Sequence, residues 1–338
     1  MPLRLGTRAS ALARWQAEWV AAQLHSCGLA VELVPIATSG DQRQEPIGGL
    51  SGKGVFTKEI QRALLEGRID LAVHSLKDLP TDEVPGLCLA AVPERAAAGD
   101  VLVCRQAASL AELGTVPIFG RRRETSARKW DCPPPLAELP SGAAVGTGSL
   151  RRRAQLLHAR GDLQMKDVRG NVDTRLRRLD QGDYDALVLA EAGVRRLGLA
   201  GRITELLPMW IMLPAVGQGA LALETRGGDA AAREAVARLD DPATHQAVLA
   251  ERAMLAALQG GCLAPIAAWG RVAGKQLVLT GRVLSPDGAE KLEATRSAVA
   301  ATDAAALGRR VADDLLAQGA GDLVQASRRQ SPLPPGEG

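Results

Sequence analysis

Cationic side chains beside four predicted helix starts are the residues from which the chemistry of this sequence can be argued. Each of these helices follows a turn rich in Gly, Thr, Ser or Asn. The four turns contain Thr7-Arg8-Ser10, Lys53, Thr147-Ser149-Arg151-Arg152 and Arg169-Asn171-Arg175. Unpaired N–H groups at a helix start favour anions, and arginine adds a planar fork that matches a carboxylate or phosphate. A single turn of this kind is usually ordinary capping. Four together predict a cleft for a small ligand with several anionic groups.

Asp78 is a lone carboxylate in a segment that leaves the same edge of the predicted sheet, His74-Ser75-Leu76-Lys77-Asp78-Leu79-Pro80. An isolated Asp before Leu-Pro more often only initiates a turn. Among cations, however, a carboxylate keeps a low pKa and can steady a positive charge or move a proton. We therefore expect Asp78 to face the anion-binding cleft.

Cys262 follows Gly260 and Gly261 and precedes Pro265, so the sequence places its thiol on a turn where a helix ends. A lone cysteine is more often a small buried apolar residue than a nucleophile, and no Cys-His-Asn spacing favours a protease-like use. The five cysteines include no C-x-x-C pair, and the four histidines are dispersed. Neither a disulfide framework nor a metal site is predicted.

Alternating strands and helices must position these groups. Strands are predicted at 3–5, 31–36, 69–73, 143–146, 163–168 and 186–189, with helices after most of them. This alternation predicts α/β sheets that are largely parallel, and the cationic turns fall at the carboxyl ends of their strands.

The remaining chain predicts a hinge and a third unit. Residues 214–219 suit a crossing between two α/β units, and Asp241-Pro242 starts a helix that runs to about residue 258 and leads to Cys262. We predict a first domain from residues 1–97 and 218–238, a second from 98–217 with an insertion at about 106–140, a third α+β domain from 241–325, and a disordered tail at 326–338.

Length and composition exclude several classes of protein. A chain of 338 residues suggests two or three domains. It has no apolar run of the ~20 residues that a membrane span needs, and it lacks the order of a signal peptide, so we expect a cytoplasmic protein without membrane contact. The net charge is +3, and Arg121 to Arg123 have no interleaved aromatic residues, which disfavours a nucleic-acid partner. Nucleotide-binding glycine motifs do not occur in the required context.

Seven segments carry a resemblance to a known family. They are Thr7 to Ala13, Gly52 to Phe56, His74 to Pro80, Gly146 to Arg152, Arg169 to Arg175, Pro214 to Gly219, and Gly260 to Cys262. In this order, and over nearly the whole chain, the sequence resembles the porphobilinogen deaminase, or hydroxymethylbilane synthase, family. The resemblance implies two periplasmic-binding-protein-like α/β domains plus a small C-terminal α+β domain.

The same resemblance implies a transferase of tetrapyrrole and heme biosynthesis that works as a monomer. It would join four porphobilinogen molecules head to tail, each with loss of ammonia, onto a dipyrromethane cofactor held by a thioether to Cys262, and hydrolysis would then free the linear tetrapyrrole. Asp78 would be the catalytic residue, hydrogen-bonding pyrrole N–H groups and steadying cationic intermediates.

Further roles are implied by position in the matching motifs. The cofactor would be bound by Lys53, Lys77, Asp78, Thr147, Ser149, Arg151, Arg152, Arg169 and Gly170. The substrate would be bound by Arg8, Ser10, Gln16, Phe56, Arg169 and Arg175.

Two departures from the family pattern and one competing interpretation accompany the resemblance. The stretch from Arg105 to Ser141 is longer than the family's usual connection and is interpreted as an inserted mobile loop, and Gly148 stands where a second Ser is common. The competing interpretation is a non-catalytic two-lobed binding protein for small anions. Such a protein would share the fold but would have no use for an exposed thiol at Cys262.

Overall fold

The computed structural model describes residues 1–37, 57–105, 135–260, 264–299 and 303–330. Within these ranges the chain forms three sheets, two of five strands and one of three. None of the helices described is long and apolar enough to cross a membrane.

The first sheet contains the N-terminal strands and one strand from much later in the chain. Its strands are β1 (Leu3–Thr7), β2 (Val31–Pro35), β3 (Leu71–Ser75), β4 (Leu87–Ala91) and β10 (Leu221–Arg226), with α1 (Ala11–Ser26), α2 (Lys58–Leu65) and α6 (Ala230–Ala237) packed against it. The order is β2-β1-β3-β10-β4. Leu5, Val20 and Leu71 are fully or almost fully buried in its core.

The second sheet repeats this plan. Its strands are β5 (Asp100–Cys104), β6 (Ala144–Gly146), β7 (Gln164–Lys166), β8 (Ala186–Ala190) and β9 (Glu205–Leu207), and its helices are α3 (Leu150–Ala159), α4 (Val172–Asp180) and α5 (Glu191–Arg196). The order is β7-β6-β8-β5-β9. We call the units built on the first and second sheets lobe 1 and lobe 2.

The prediction of largely parallel sheets is wrong for half of the strand pairs. In lobe 1, β1 is parallel to β2 and β3, but β10 is antiparallel to β3 and β4. In lobe 2, β6 is parallel to β7 and β8, but β5 is antiparallel to β8 and β9. The reason is the double crossing of the chain, because β5 and β10 each enter a sheet directly from the other lobe without a crossover helix.

The third sheet is an antiparallel meander of β11 (Ile266–Ala273), β12 (Gln276–Leu284) and β13 (Lys291–Val299). It packs with α7 (Pro242–Ala257), α8 (Ala304–Ala317) and α9 (Ala320–Gln330) around a core of its own. Two α/β lobes and a small α+β unit confirm the predicted fold class. The exact domain boundaries stay a prediction.

Two segments are more ordered than the sequence predicted. Residues 326–330, assigned to the disordered tail, belong to α9, where the buried hydroxyl of Ser327 donates to Leu323 O. Residues 135–140, assigned to the insertion, pack on lobe 2 through the fully buried Leu136, whose carbonyl accepts from Arg160. The rest of both segments lies outside the described residues.

The two crossings between the lobes are held together by the Pro214 to Gly219 motif. The buried Gln218 amide donates to Ala98 O and Gly99 O of the other crossing, at 2.7 and 3.1 Å. Gly219 has a φ of +87°, and a Cβ there would stand 2.4 Å from Ala96 O. Glycine is therefore required at 219 both by conformation and by space.

Replacing Gly219 with alanine should destabilise the protein by at least about 2 kcal/mol, because the side chain would be strained at positive φ and would collide with a backbone oxygen. Thermal unfolding measures the change. Gly201→Ala is the matched control, since nothing lies within 4 Å of a Cβ at that position and its φ is not positive. Equal melting temperatures for the two variants would contradict the prediction.

Candidate active site

Asp78 lies where β3 ends, on a single 3-10 turn from Leu76 to Asp78. Leu76 is fully buried and its N–H donates to Ala220 O at 3.0 Å, which fixes the turn to the hinge. Lys77 and Asp78 are solvent-accessible. The turn thus presents one ammonium and one carboxylate at the carboxyl edge of the first sheet.

The pKa of Lys77 depends on charged groups of both lobes. Loss of water around its ammonium lowers the Lys77 pKa to about 8. Asp78 opposes that shift, and so does Asp100 of lobe 2, whereas Arg151 and Arg152 of lobe 2 reinforce it. The predicted site residues at the end of β3 and at the start of α3 therefore share one electrostatic environment.

Helix α3 starts where the sequence predicts it, and its start is capped. Ser149 is the N-cap, its hydroxyl accepting from Arg152 N at 3.5 Å, and the buried Thr147 hydroxyl accepts from Ser149 N at 3.2 Å. A Cβ on Gly148 would stand 2.9 Å from Val168 O. The Ser that is common at this position in the resembled family would need this backbone to shift.

Arg151 and Arg152 are buried and pair with one carboxylate, Asp100, which begins β5. Arg151 Nη1 donates to Asp100 Oδ2 at 2.7 Å, and Arg152 Nε donates to Asp100 Oδ1 at 2.9 Å. Burial raises the pKa of Asp100, but the two guanidinium charges outweigh it and the pKa is lowered. Two cations against one anion leave one positive charge uncompensated within this group.

The start of α4 brings a further cation to the cleft. Gly170 has a φ of +95° and its carbonyl accepts from Arg175 Nε at 2.8 Å. Burial lowers the pKa of Arg175, and the charge of Asp78 in the other lobe opposes that shift. Arg169, one residue before this glycine, is exposed.

On the lobe 1 side, α1 contributes a cap and a buried amide. The Ser10 hydroxyl accepts from Ala13 N, so it serves as the N-cap of α1, and Arg8 precedes it in the turn. Gln16 is buried, and its amide donates to Ser75 Oγ at 2.8 Å. This contact ties α1 to the strand end that carries Asp78.

Three predicted site residues, Lys53, Phe56 and Cys262, lie outside the described residues. The approach to Cys262 is described as far as residue 260. Gln259, the one non-glycine residue with positive φ in the described ranges, follows Leu258, the C-cap of α7, and Gly260 N donates to Leu255 O at 2.9 Å. This bonding is typical of a Schellman helix end and sets the direction in which the chain leaves toward Cys262.

Sequence reasoning missed two charged residues of the cleft, Asp100 and Arg196. Arg196 stacks on Trp15 of the other lobe, its carbon Cζ 5.6 Å from the ring centroid, and donates to Gly219 O at 2.8 Å. Burial lowers its pKa to about 10. A usable signal existed for Asp100, because a lone acid that directly precedes the apolar run at 101–103 is placed at a buried strand end.

Family models match two parts of the chain. Residues 3–234 match "Porphobilinogen deaminase, dipyromethane cofactor binding domain", and residues 245–317 match "Porphobilinogen deaminase, C-terminal domain". The chain belongs to the porphobilinogen deaminase family. The predicted resemblance is confirmed, as are the prediction of a tetrapyrrole-forming transferase and that of a dipyrromethane cofactor.

Curated porphobilinogen deaminases align over nearly their whole length. The one from Syntrophotalea carbinolica is 46% identical over 335 residues, 98% of each chain, and the one from Acidithiobacillus ferrooxidans is 46% identical over 330 residues, 96% of this chain and 98% of its own. Among solved structures, the methionine-binding protein MetQ aligns with a TM-score of 0.41 and 15% identity, over 72% of this chain and 89% of its own.

The charges of the described site residues suit a dipyrromethane group, which carries several carboxylates. These charges are positive at Lys77, Arg151, Arg152 and Arg175 and negative at Asp78 and Asp100. The Nε of Arg151 is buried and has no hydrogen-bond partner in the described part of the chain. Anionic groups in the cleft would therefore offset a surplus of positive charge. The individual binding roles of these residues stay predictions.

Proposed function

We propose that the chain is a hydroxymethylbilane synthase in which Asp78 is the catalytic carboxylate and Cys262 carries dipyrromethane through a thioether. The observation that supports this assignment is the electrostatic coupling between the two lobes. The charges of Arg151 and Arg152 add to the lowering of the Lys77 pKa, and the charge of Asp78 opposes the lowering of the Arg175 pKa, so Asp78 lies near cations of lobe 2. A carboxylate placed among several cations can stabilise a positive charge that develops in the bound substrate.

The cationic turns bind and orient the reactants. Acetate and propionate groups would be held at the starts of α1, α3 and α4, by Arg8, Ser10, Thr147, Ser149, Arg151, Arg152, Arg169, Gly170 and Arg175, with Lys53 and Lys77 beside them. Gln16 and Phe56 would line the substrate side. Because carboxylates anchored at several points cannot rotate freely, the reacting pyrrole carbon would be held close to the incoming aminomethyl carbon.

Asp78 would offset the positive charge that develops on porphobilinogen as ammonia leaves. Its carboxylate would accept hydrogen bonds from pyrrole N–H groups and take up the proton that the reacting ring carbon gives up. When bound, dipyrromethane supplies the terminal pyrrole carbon to which the first substrate unit is joined. Lys77, with a pKa of about 8, would be cationic at neutral pH and would bind a carboxylate in this form.

We also propose that the enzyme acts as a monomer in the cytoplasm. All of the assigned site residues belong to the same chain, so no second copy is needed to complete the site. Porphobilinogen is the proposed small-molecule substrate, and neither a nucleic acid nor a membrane is a proposed partner.

Intact mass spectrometry tests the proposed anchor. The purified protein should be heavier than its sequence by two pyrrole units, and digestion should locate the added mass on the peptide that contains Cys262. Cys262→Ser should have the bare mass, whereas Cys88→Ser, at another free cysteine, should keep the addition. Protein purified without the cofactor should be incubated with porphobilinogen before the measurement, so that it can acquire the addition. A bare wild-type mass after that incubation would favour a non-catalytic anion-binding protein.

A further inference from the structure

Arg252 connects the helix that leads to Cys262 with the segment that follows Asp78. It lies on α7, and its Nη1 donates to Leu79 O at 3.0 Å while its Nη2 donates to Pro80 O at 2.6 Å. These are the carbonyls of the two residues directly after Asp78. A planar fork can hold two successive carbonyls at fixed spacing, which a lysine ammonium cannot do as rigidly.

The guanidinium of Arg252 has no other strong partner in the described structure. Burial lowers its pKa, and the charges of Glu224, Glu83 and Asp82 oppose that shift. Within the described ranges, however, no carboxylate is within ion-pair distance of it. Most of the hydrogen bonding that this cation gains on folding therefore goes to the backbone after Asp78.

Apolar contacts attach the same segment to the same helix. Leu76 and Leu79, on either side of Asp78, share a buried cluster with Val248, which lies four residues before Arg252 on α7. Residues four apart on a helix lie on one face. On this face of α7, Val248 packs against the leucine side chains of the Asp78 turn, and Arg252 binds the backbone carbonyls that follow the turn.

The neighbouring residue on α7 fixes the helix itself. Glu251 is fully buried, pairs with Arg95 at 2.6 Å, and accepts from Gly217 N and Gly270 N at 2.6 and 2.7 Å. These contacts reach the hinge and the third sheet together. Because α7 cannot slide without breaking these contacts, the helix that carries Arg252 is fixed. The hydrogen bonds from Arg252 therefore hold the Asp78 turn at a fixed position.

We propose that Arg252 is a positioning residue that sets Asp78 at a fixed place relative to α7, the helix that precedes Cys262 in the chain. Arg252 does not touch the reacting groups. It acts through Leu79 O and Pro80 O on the placement of the carboxylate. This inference rests on the proposed roles of Asp78 and Cys262.

Arg252→Lys and Arg252→Gln test the proposal by steady-state kinetics, intact mass and thermal unfolding on the full-length holoenzyme. We expect both variants to carry the two-pyrrole addition, kcat to fall at least tenfold, and KM for porphobilinogen to stay within threefold, because the carboxylate-binding cations are untouched. Arg309→Lys is the matched control, an exposed arginine on α8 of the same unit. It should match the wild type in every measurement.

Three results would overturn the proposal. A kcat within threefold of wild type in both variants would show that the fork is not needed. Loss of the two-pyrrole addition would place Arg252 in cofactor attachment, and unfolding of both variants would make its role purely structural. A wild-type protein without the addition after incubation with porphobilinogen would instead contradict the proposed function itself, so the two failures are distinguishable.

Discussion

Asp100→Asn should lower the free energy of unfolding by about 3–5 kcal/mol, the usual cost of removing one partner from a buried ion pair. Asp100 is almost fully buried and is the carboxylate shared by Arg151 and Arg152. Without its charge, two buried guanidinium groups would lose the anion that stabilises them. Asparagine keeps the volume of the side chain, so the loss would report charge rather than a cavity.

The melting temperature gives the measurement, with an expected fall of roughly 4–7 °C for a chain of this size. Asp180→Asn is the control, since Asp180 pairs with Arg202 at the surface and such pairs contribute at most about 1 kcal/mol. A fall no larger than that of the control would contradict the prediction. Because the pKa of Asp100 is lowered, its stabilising contribution is present above its ordinary pKa of about 4 and is lost as the pH falls below it.

The sequence signals that Asp100 stands at a buried strand end, but its ion pairs could not be predicted because its partners are distant along the chain. Asp100 and Arg151 are separated by 51 positions, and only the double crossing of the chain brings β5 beside α3. The caps at Ser149 and Ser10, by contrast, depend on residues three positions apart, and the sequence identified both turns. The turns at helix starts could thus be predicted from neighbouring residues, whereas ion-pair partners that are distant along the chain could not.

The same distinction explains the errors in the fold. The parallel strands β1, β2 and β3 were predicted because each follows the preceding one through a helix. The antiparallel β5 and β10 were missed, since a strand that enters from another lobe has no local signature. The contacts of Arg252 and Glu251 on α7 were equally unreadable, although the sequence predicted the helix and its Asp241-Pro242 start.

Asp78→Asn should reduce turnover at least about 100-fold while leaving the two-pyrrole addition in place, because general acid–base and charge-stabilising groups contribute rate factors of this order. Asparagine keeps the shape of the side chain and a hydrogen-bond acceptor. It loses the negative charge that acts on Lys77 and Arg175 and the capacity to take up a proton. Since Asp78 is solvent-accessible, the fold should tolerate the change.

Asp313→Asn provides the control, an exposed aspartate on α8. Turnover of porphobilinogen, intact mass and melting temperature should be measured for both variants. If turnover falls only in Asp78→Asn and both proteins carry the addition, the loss belongs to the chemical steps, because attachment to Cys262 and folding are intact. Full activity of Asp78→Asn would remove Asp78 from the mechanism, and the reason for holding its turn on α7 through Arg252 would then have to be structural.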